Sequence, residues 1–240
     1  MGYHVGEFTA TEDIWKYWAA GYLEAEPKRP LIIEEKFDGI RLLIHRQGKK
    51  IAIYTEDKKR DRAGVLPGVV KEVQTLLCSE IILDTEAVIW EENRPMPRHE
   101  MVGLVVQKET FPDTADIRLN VHDILWLNGK SLLDTSYIER LKLLARVLPK
   151  DKEHLRKVPY KIANNRKEFD SALAWASKAI GSEGAMVKSA DSLYDITGTS
   201  PRSIDWSKFK IVKEIKVKVI GIDELGRINL SKKQAEQDIG

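Results

Sequence analysis

Three runs of β-branched and apolar residues follow one another early in the chain: LIIEEKF (31–37), IRLLIHRQ (40–47) and KIAIYT (50–55). Apolar and polar positions alternate through the second and third, as in half-buried strands, and a Gly-Lys-Lys turn separates those two. The segment before them has a different period. Thr11, Glu12 and Asp13 form a helix start, Ile14, Trp15, Trp18 and Tyr22 recur at helical spacing, and Pro27 and Pro30 close the segment. Downstream, PGVVKEVQTLLC (67–78) reads as a helix with Pro67 in its first turn. IILDTEAVIW (81–90) and IRLNVHDILWLNG (117–129) read as buried strands, the second ended by an Asn-Gly turn. Amphipathic helices are predicted over 134–148 and 166–180, and strands over 184–190, 206–212 and 215–223. No repeat interrupts this order. Strands in groups, broken by a few helices, predict an α+β fold of mainly antiparallel sheets flanked by helices.

Composition narrows the classes without naming one. The chain has 240 residues, 42% hydrophobic and 32% charged, enough for a substantial core. Its net charge of +2 rules out bulk basicity as the source of polyanion binding, so any such contact must come from local clusters of Lys and Arg. Cys78 is the single cysteine, which excludes an intrachain disulfide and a cysteine-rich zinc site and fits a reducing compartment. No run reaches membrane-spanning length and the N-terminus has no signal-peptide core, so the expectation is a cytoplasmic chain without a membrane partner.

Candidate chemistry sits at strand ends. Lys36 lies in KFDGIR, among Glu34, Glu35 and Asp38 on one side and Arg41 on the other, and Gly39 lets backbone approach a ligand. A lysine here is either a solvated hairpin residue or a nucleophile that attacks a carbonyl or a phosphorus atom. Glu86, in ILDTEAVIW, is flanked by apolar residues and is costly to bury without a partner. Glu183 opens EGAMVK; two carboxylates near lysines suit Mg²⁺-nucleotide chemistry. In WSKFK, period two places Lys208 and Lys210 on one strand face, as an anion site or as protective charges on an edge.

Taken in order, KFDGIR, YTEDKKR, ILDTEAVIW, NVHDILWLNGKSL, EGAMVK and WSKFK resemble the motif series of the covalent nucleotidyltransferases, over roughly residues 31–212. ILDTEAV, HDILWLNGKSL and EGAMVKS are similar to the ATP-dependent DNA ligase branch. The resemblance implies an ATP-grasp-like nucleotidyltransferase (adenylation) domain of the ligase type at 31–212. An N-terminal helical extension at 1–30 precedes it, and 213–240 is a strand and tail, the possible start of a truncated OB-fold. It implies that Lys36 attacks the α-phosphate of ATP to form lysyl-AMP, which is passed to the 5′-phosphate of nicked double-stranded DNA. By the same resemblance, Glu34 accepts from the adenine amino group and Arg41 lies near ribose and phosphate. Glu86 serves the ribose and Mg²⁺, Glu183 is the second carboxylate at the metal, and Lys208 and Lys210 hold the α-phosphate. Arg202 falls where an ATP-contacting arginine is expected, and Lys188 is a further candidate. Neighbouring cations and metal are expected to help neutralise the attacking amine. A monomer that works with an OB-fold domain is implied.

Two positions depart from that pattern. His122 stands where an aromatic residue usually stacks on adenine, and Glu56 follows Thr55 where an arginine is usual, with Arg60 and Arg62 as substitutes from the following loop. The alternatives are an RNA ligase or another end-adenylating enzyme, and a nucleotide- or nucleic-acid-binding module that has lost catalysis.

Overall fold

A computed structural model describes residues 5–20, 28–55, 60–107, 115–195, 203–211, 218–222 and 228–231. Residues 1–210 form one compact unit and 211–240 a second. In the first, the strands before residue 100 are β1 (Val5–Phe8), β2 (Leu31–Phe37), β3 (Ile40–Gln47), β4 (Lys50–Thr55), β5 (Glu80–Glu91) and β6 (Arg94–Pro95). After it come β7 (Asp116–Leu127), β8 (Lys130–Ser131), β9 (Leu155–Lys157), β10 (Tyr160–Ala163), β11 (Ser182–Ser189) and β12 (Ser203–Lys210). The helices are α1 (Thr11–Trp18), α2 (Pro67–Gln74), α3 (Arg98–Val102), α4 (Tyr137–Val147) and α5 (Arg166–Lys178). The described part of the second unit is an antiparallel pair, β13 (Lys218–Ile222) with β14 (Ile228–Ser231).

Two sheets organise the first unit, one ordered β1-β12-β11-β2-β10 and the other β4-β3-β5-β7-β8, with β6 on β5 and β9 on β7. All pairings are antiparallel except β1 with β12 and β7 with β9, as the strand grouping predicts. The apolar stripe of α5 (Phe169, Ala172, Leu173, Ala176) covers one face of the first sheet, against Leu31, Ile33, Ala185 and Val187 and with Ile14 and Trp18 of α1. Burying each large apolar side chain there contributes about 1.5–3 kcal/mol. α4 is shared between two clusters. Leu144 and Val147 pack into the core of the second sheet, while Tyr137 and Leu141 meet Ile32 of β2.

Local signals set several boundaries. Asn165 caps α5 by accepting from the Glu168 N–H (3.0 Å), and the Glu168 carboxylate reaches back to the Asn164 N–H (2.8 Å). Asn128 and Gly129 both have positive φ (44° and 83°), as the predicted two-residue turn after β7 requires. α2 stops at Gln74, four residues short of the predicted end, because Leu77 N–H bonds to Val147 O at the end of α4 instead of continuing the helix. Five short strands of the first unit carry little pattern of their own and lie outside the predicted strands: β1, β6, β8, β9 and β10. β1 brings the N-terminal segment into the first sheet, so residues before 31 add a strand as well as the predicted helix.

Candidate active site

Strand register assembles the site. On β2, Ile32, Glu34 and Lys36 share one face, and their partners across β11 are Lys188, Met186 and Gly184. Those in turn oppose Trp206, Lys208 and Lys210 on β12. Lys36 and Lys210 therefore flank Gly184 in one row, with Glu34, Met186 and Lys208 in the next. The second sheet supplies Arg41 from β3, Asp84 and Glu86 from β5 and His122 from β7. Together they line a cleft of about 430 Å³, within the usual range for small-molecule sites. A larger groove of about 1020 Å³ beside the β5–β6 turn holds none of these residues.

Two glycines are demanded by this construction. A Cβ on Gly39 would lie 2.4 Å from Ala87 O and 2.8 Å from Glu86 Cγ, so only glycine lets the turn after Lys36 pass over β5. Gly184 has φ +141°, and a Cβ there would meet Phe209 O at 1.9 Å. A bulge does comparable work on β7. Asp84 pairs with Asp123 and Thr85 with Val121, leaving His122 as the extra residue between them, aimed into the cleft.

The charges are not neutral bystanders. Lys36 Nζ is paired with Glu183 Oε2, and Asp38 shares a hydrogen bond with the same carboxylate. Burial pushes Glu183 up, but the bond and charge of Lys36 outweigh it and hold the group below its ordinary range. Asp38 is raised by burial and by the Glu183 charge. Lys208 is lowered, first by burial and then by the charges of Lys36 and Lys210, so three ammonium groups share this corner. Glu86 is the least compensated anion. It accepts the Gly39 N–H at 3.1 Å and has no cation within salt-bridge distance among the described residues, and burial pushes its pKa up to about 7. A buried carboxyl short of a counter-ion, in a cleft also lined by Asp38, Asp84 and Glu183, belongs to a donor set that fits Mg²⁺.

Other expected residues line the same cleft while engaged with protein partners. Arg41 forks onto Asp84 through Nε (2.9 Å) and Nη2 (2.7 Å), and Nη2 also donates to the Tyr194 hydroxyl (2.7 Å). Asp84 stays well below the carboxylate range because His122 and Arg41 overcome the cost of its burial. His122 Nε2 is 3.4 Å from Asp84 Oδ1, and its buried Nδ1 has no hydrogen-bond partner among the described residues. Glu34 is buried at the cleft floor, accepting from the Tyr137 hydroxyl and paired with Lys188 Nζ at 2.7 Å. Lys188 is itself buried and lies over the Tyr137 and Trp206 rings, so it secures the floor. Lys210 pairs with Glu7 of β1 at 3.0 Å. Arg62 does not reach outward from its loop as a substitute: it is 1% exposed and donates to Val105 O. Arg60 is exposed, whereas Glu56 and Arg202 lie outside the described residues.

Sequence reasoning missed Asp84, Tyr137, Tyr194 and Arg98 at this site. Asp84 has a visible signal, an acidic residue two before Glu86 and thus on the same strand face. The others come from separate elements and carry no spacing that points here. A second carboxylate–imidazole group, Glu72, Glu153 and His154, is structural. Glu72 accepts the backbone N–H groups of His154 (3.0 Å) and Leu155 (2.9 Å), and His154 Nδ1–H donates to Ile117 O (2.9 Å), tying α2 to β9.

Two sheets meeting over a lysine-centred cleft, one giving Lys36, Lys208, Lys210 and Glu183 and the other Asp84 and Glu86, define a nucleotidyltransferase-type domain. A family model described as the ATP dependent DNA ligase domain matches residues 19–210, and the chain belongs to that family. It is 32% identical over 205 residues to a probable DNA ligase of Streptomyces griseus, covering 81% of this chain and 38% of that one. A DNA ligase of Methanococcus aeolicus is 28% identical over 165 residues, covering 67% and 29%. The chain thus spans about a third of the length of these curated relatives. The fold is shared with a mycobacterial DNA ligase D complexed with ATP and MES, at a TM-score of 0.56 and 20% identity over 90% of this chain and 62% of that one.

Proposed function

We propose that this chain is the adenylate-forming domain of an ATP-dependent DNA ligase. The observation that carries the reading is Lys36, held by Glu183 in a cleft that also gathers Asp38, Glu86, Lys208 and Lys210. In the proposed reaction the Lys36 Nζ lone pair forms a bond to the α-phosphorus of ATP. The bond from that phosphorus to the α,β-bridging oxygen breaks, and pyrophosphate leaves. Nζ sheds two protons in all. The first leaves the ammonium before attack, through Glu183, which accepts its hydrogen bond in the ligand-free site, and on to solvent. The second leaves the nitrogen after attack with the departing pyrophosphate. Lys208 and Lys210 stand as preformed cations for the charge that develops on the α-phosphate. Glu86 and Glu183 would hold Mg²⁺, which supplies charge neutralisation to phosphate oxygens.

In the second step AMP moves from Nζ to the 5′-phosphate of nicked double-stranded DNA, and the adjacent 3′-hydroxyl then displaces AMP to close the strand. The ATP complex of the mycobacterial ligase D and the family match support ATP as the donor. Among the described residues no helix is long and apolar enough to cross a membrane. As part of the same proposal we read a cytoplasmic monomer, the compartment being one that the free Cys78 fits. Intact-mass analysis after incubation with ATP and Mg²⁺ should show one added adenylate, absent in Lys36→Ala. An adenylate that persists in that variant would overturn the assignment.

A further inference from the structure

Of the two arginines lining the cleft, only one has donors to spare. Arg41 is committed to Asp84 and Tyr194. Arg98, the first residue of α3, also lines the cleft, and among the described residues it makes no hydrogen bond or ion pair. Its side chain is exposed, yet its backbone is fixed from both directions. Met101 is fully buried and its Sδ accepts the Ile89 N–H (3.3 Å). Met96 is buried and donates its N–H to Ile89 O (2.8 Å). Pro95 packs against Gly181, two residues before Glu183, so closely that a Cβ there would lie 2.5 Å from Pro95 Cγ. A tethered backbone with an uncommitted guanidinium at the cleft rim is a suitable mount for a phosphate contact.

We infer that Arg98 binds the β- and γ-phosphates of ATP and steadies the departing pyrophosphate, an inference that rests on the nucleotidyl-transfer reading above. The α-phosphate already has Lys36, Lys208 and Lys210 across the cleft. Arg98 opens α3, which is tied to β5 of the other sheet, and it lines the cleft together with Glu86 and Asp38. Glu86 would hold Mg²⁺ to neutralise phosphate charge, and a guanidinium lining the same cleft is suited to the same polyphosphate. Arginine suits this task because its planar fork donates two parallel bonds to a phosphate, whereas lysine offers a point charge.

The experiment compares α,β-methylene-ATP, which cannot release pyrophosphate, with AMP as ligands for wild type, Arg98→Ala and Arg98→Lys. Arg98→Ala should weaken the ATP analogue roughly ten- to hundredfold, the loss expected of charge-assisted bonds to phosphate, with AMP affinity unchanged. Arg98→Lys should fall between. Thermal melting of the ligand-free variants should match wild type, since the side chain is exposed. Equal losses for both ligands, or none for either, would overturn the inference while leaving the nucleotidyl-transfer reading intact. So would normal self-adenylation of Arg98→Ala combined with slow sealing by the pre-adenylated variant, which would place the guanidinium on the nick instead. A wild type that binds neither nucleotide would overturn the nucleotidyl-transfer reading and this inference with it.

Discussion

Glu86 is the point where function and stability pull apart, and Glu86→Gln separates them. Its carboxyl is raised from an ordinary 4.5 to about 7 by burial, a penalty that the charges of His122, Arg98 and Lys36 only partly offset. At about 1.4 kcal/mol per tenfold change in proton affinity, that step amounts to roughly 3 kcal/mol. The sign follows from linkage. A group with a raised folded-state pKa lends its stability fully below the unfolded value, and loses it as pH climbs through the folded value. The ligand-free protein should therefore lose about 3 kcal/mol from this group between roughly pH 4.5 and 7, with little further change above. Glutamine keeps the oxygen that accepts the Gly39 N–H and cannot ionise. The variant should match wild type near pH 5 and exceed it by up to about 3 kcal/mol at pH 8, a gain of about 6–12 °C in melting temperature for a chain of this size. The same variant should self-adenylate slower by orders of magnitude, because the charge that destabilises the empty site is the one proposed to hold Mg²⁺.

Urea or thermal unfolding of both proteins without nucleotide, from pH 5 to 8, reads the effect as a difference between two curves, so every other titrating group cancels. Parallel curves across that range would refute the reasoning, since Glu86 would then titrate alike in the folded and unfolded states.

Two further substitutions test the frame that holds the site. Arg140 and Asp123 form a fully buried ion pair linking α4 to β7, with Arg140 also donating to Ser192 O; Arg140→Met should cost about 3–5 kcal/mol in urea unfolding at neutral pH, because it strands the Asp123 charge. Gly39→Ala should destabilise by about 1–3 kcal/mol and slow self-adenylation, because the new methyl displaces the turn from Glu86, whereas Gly64→Ala, with nothing within 4 Å of its added Cβ, should leave the labelling rate unchanged.

The parts of the fold legible in the sequence are those whose residues answer to their own neighbours. β2, β3 and β4 occupy the predicted residues, since each repeats a strand pattern between turn residues. α5 carries its own cap in Asn165 and Glu168. The short strands β1, β6, β8, β9 and β10 were not legible, because two to four residues make no period and each exists only by pairing with a longer partner. α2 was read too long for the converse reason: a hydrogen bond to α4, remote in sequence, ends it.

The cleft divides along the same line. That Glu86 would be uncomfortable could be read from its apolar flanks, and its raised pKa expresses that discomfort. That Arg41 would be absorbed by Asp84 and Tyr194 could not, because the Tyr194 hydroxyl arrives from more than a hundred residues away. His122 is the sharper case. Counted by period two from Asn120 it belongs beside it, opposite Asp123, but the bulge breaks that count and delivers its ring to Asp84. Motif spacing therefore locates the candidate groups on each strand, while the contacts between sheets decide which of them are taken up by protein partners. Lys36, Lys208 and Lys210 line one side by register alone. Arg98, with no motif to mark it, gains its place because a buried methionine on either side pins its backbone at the rim.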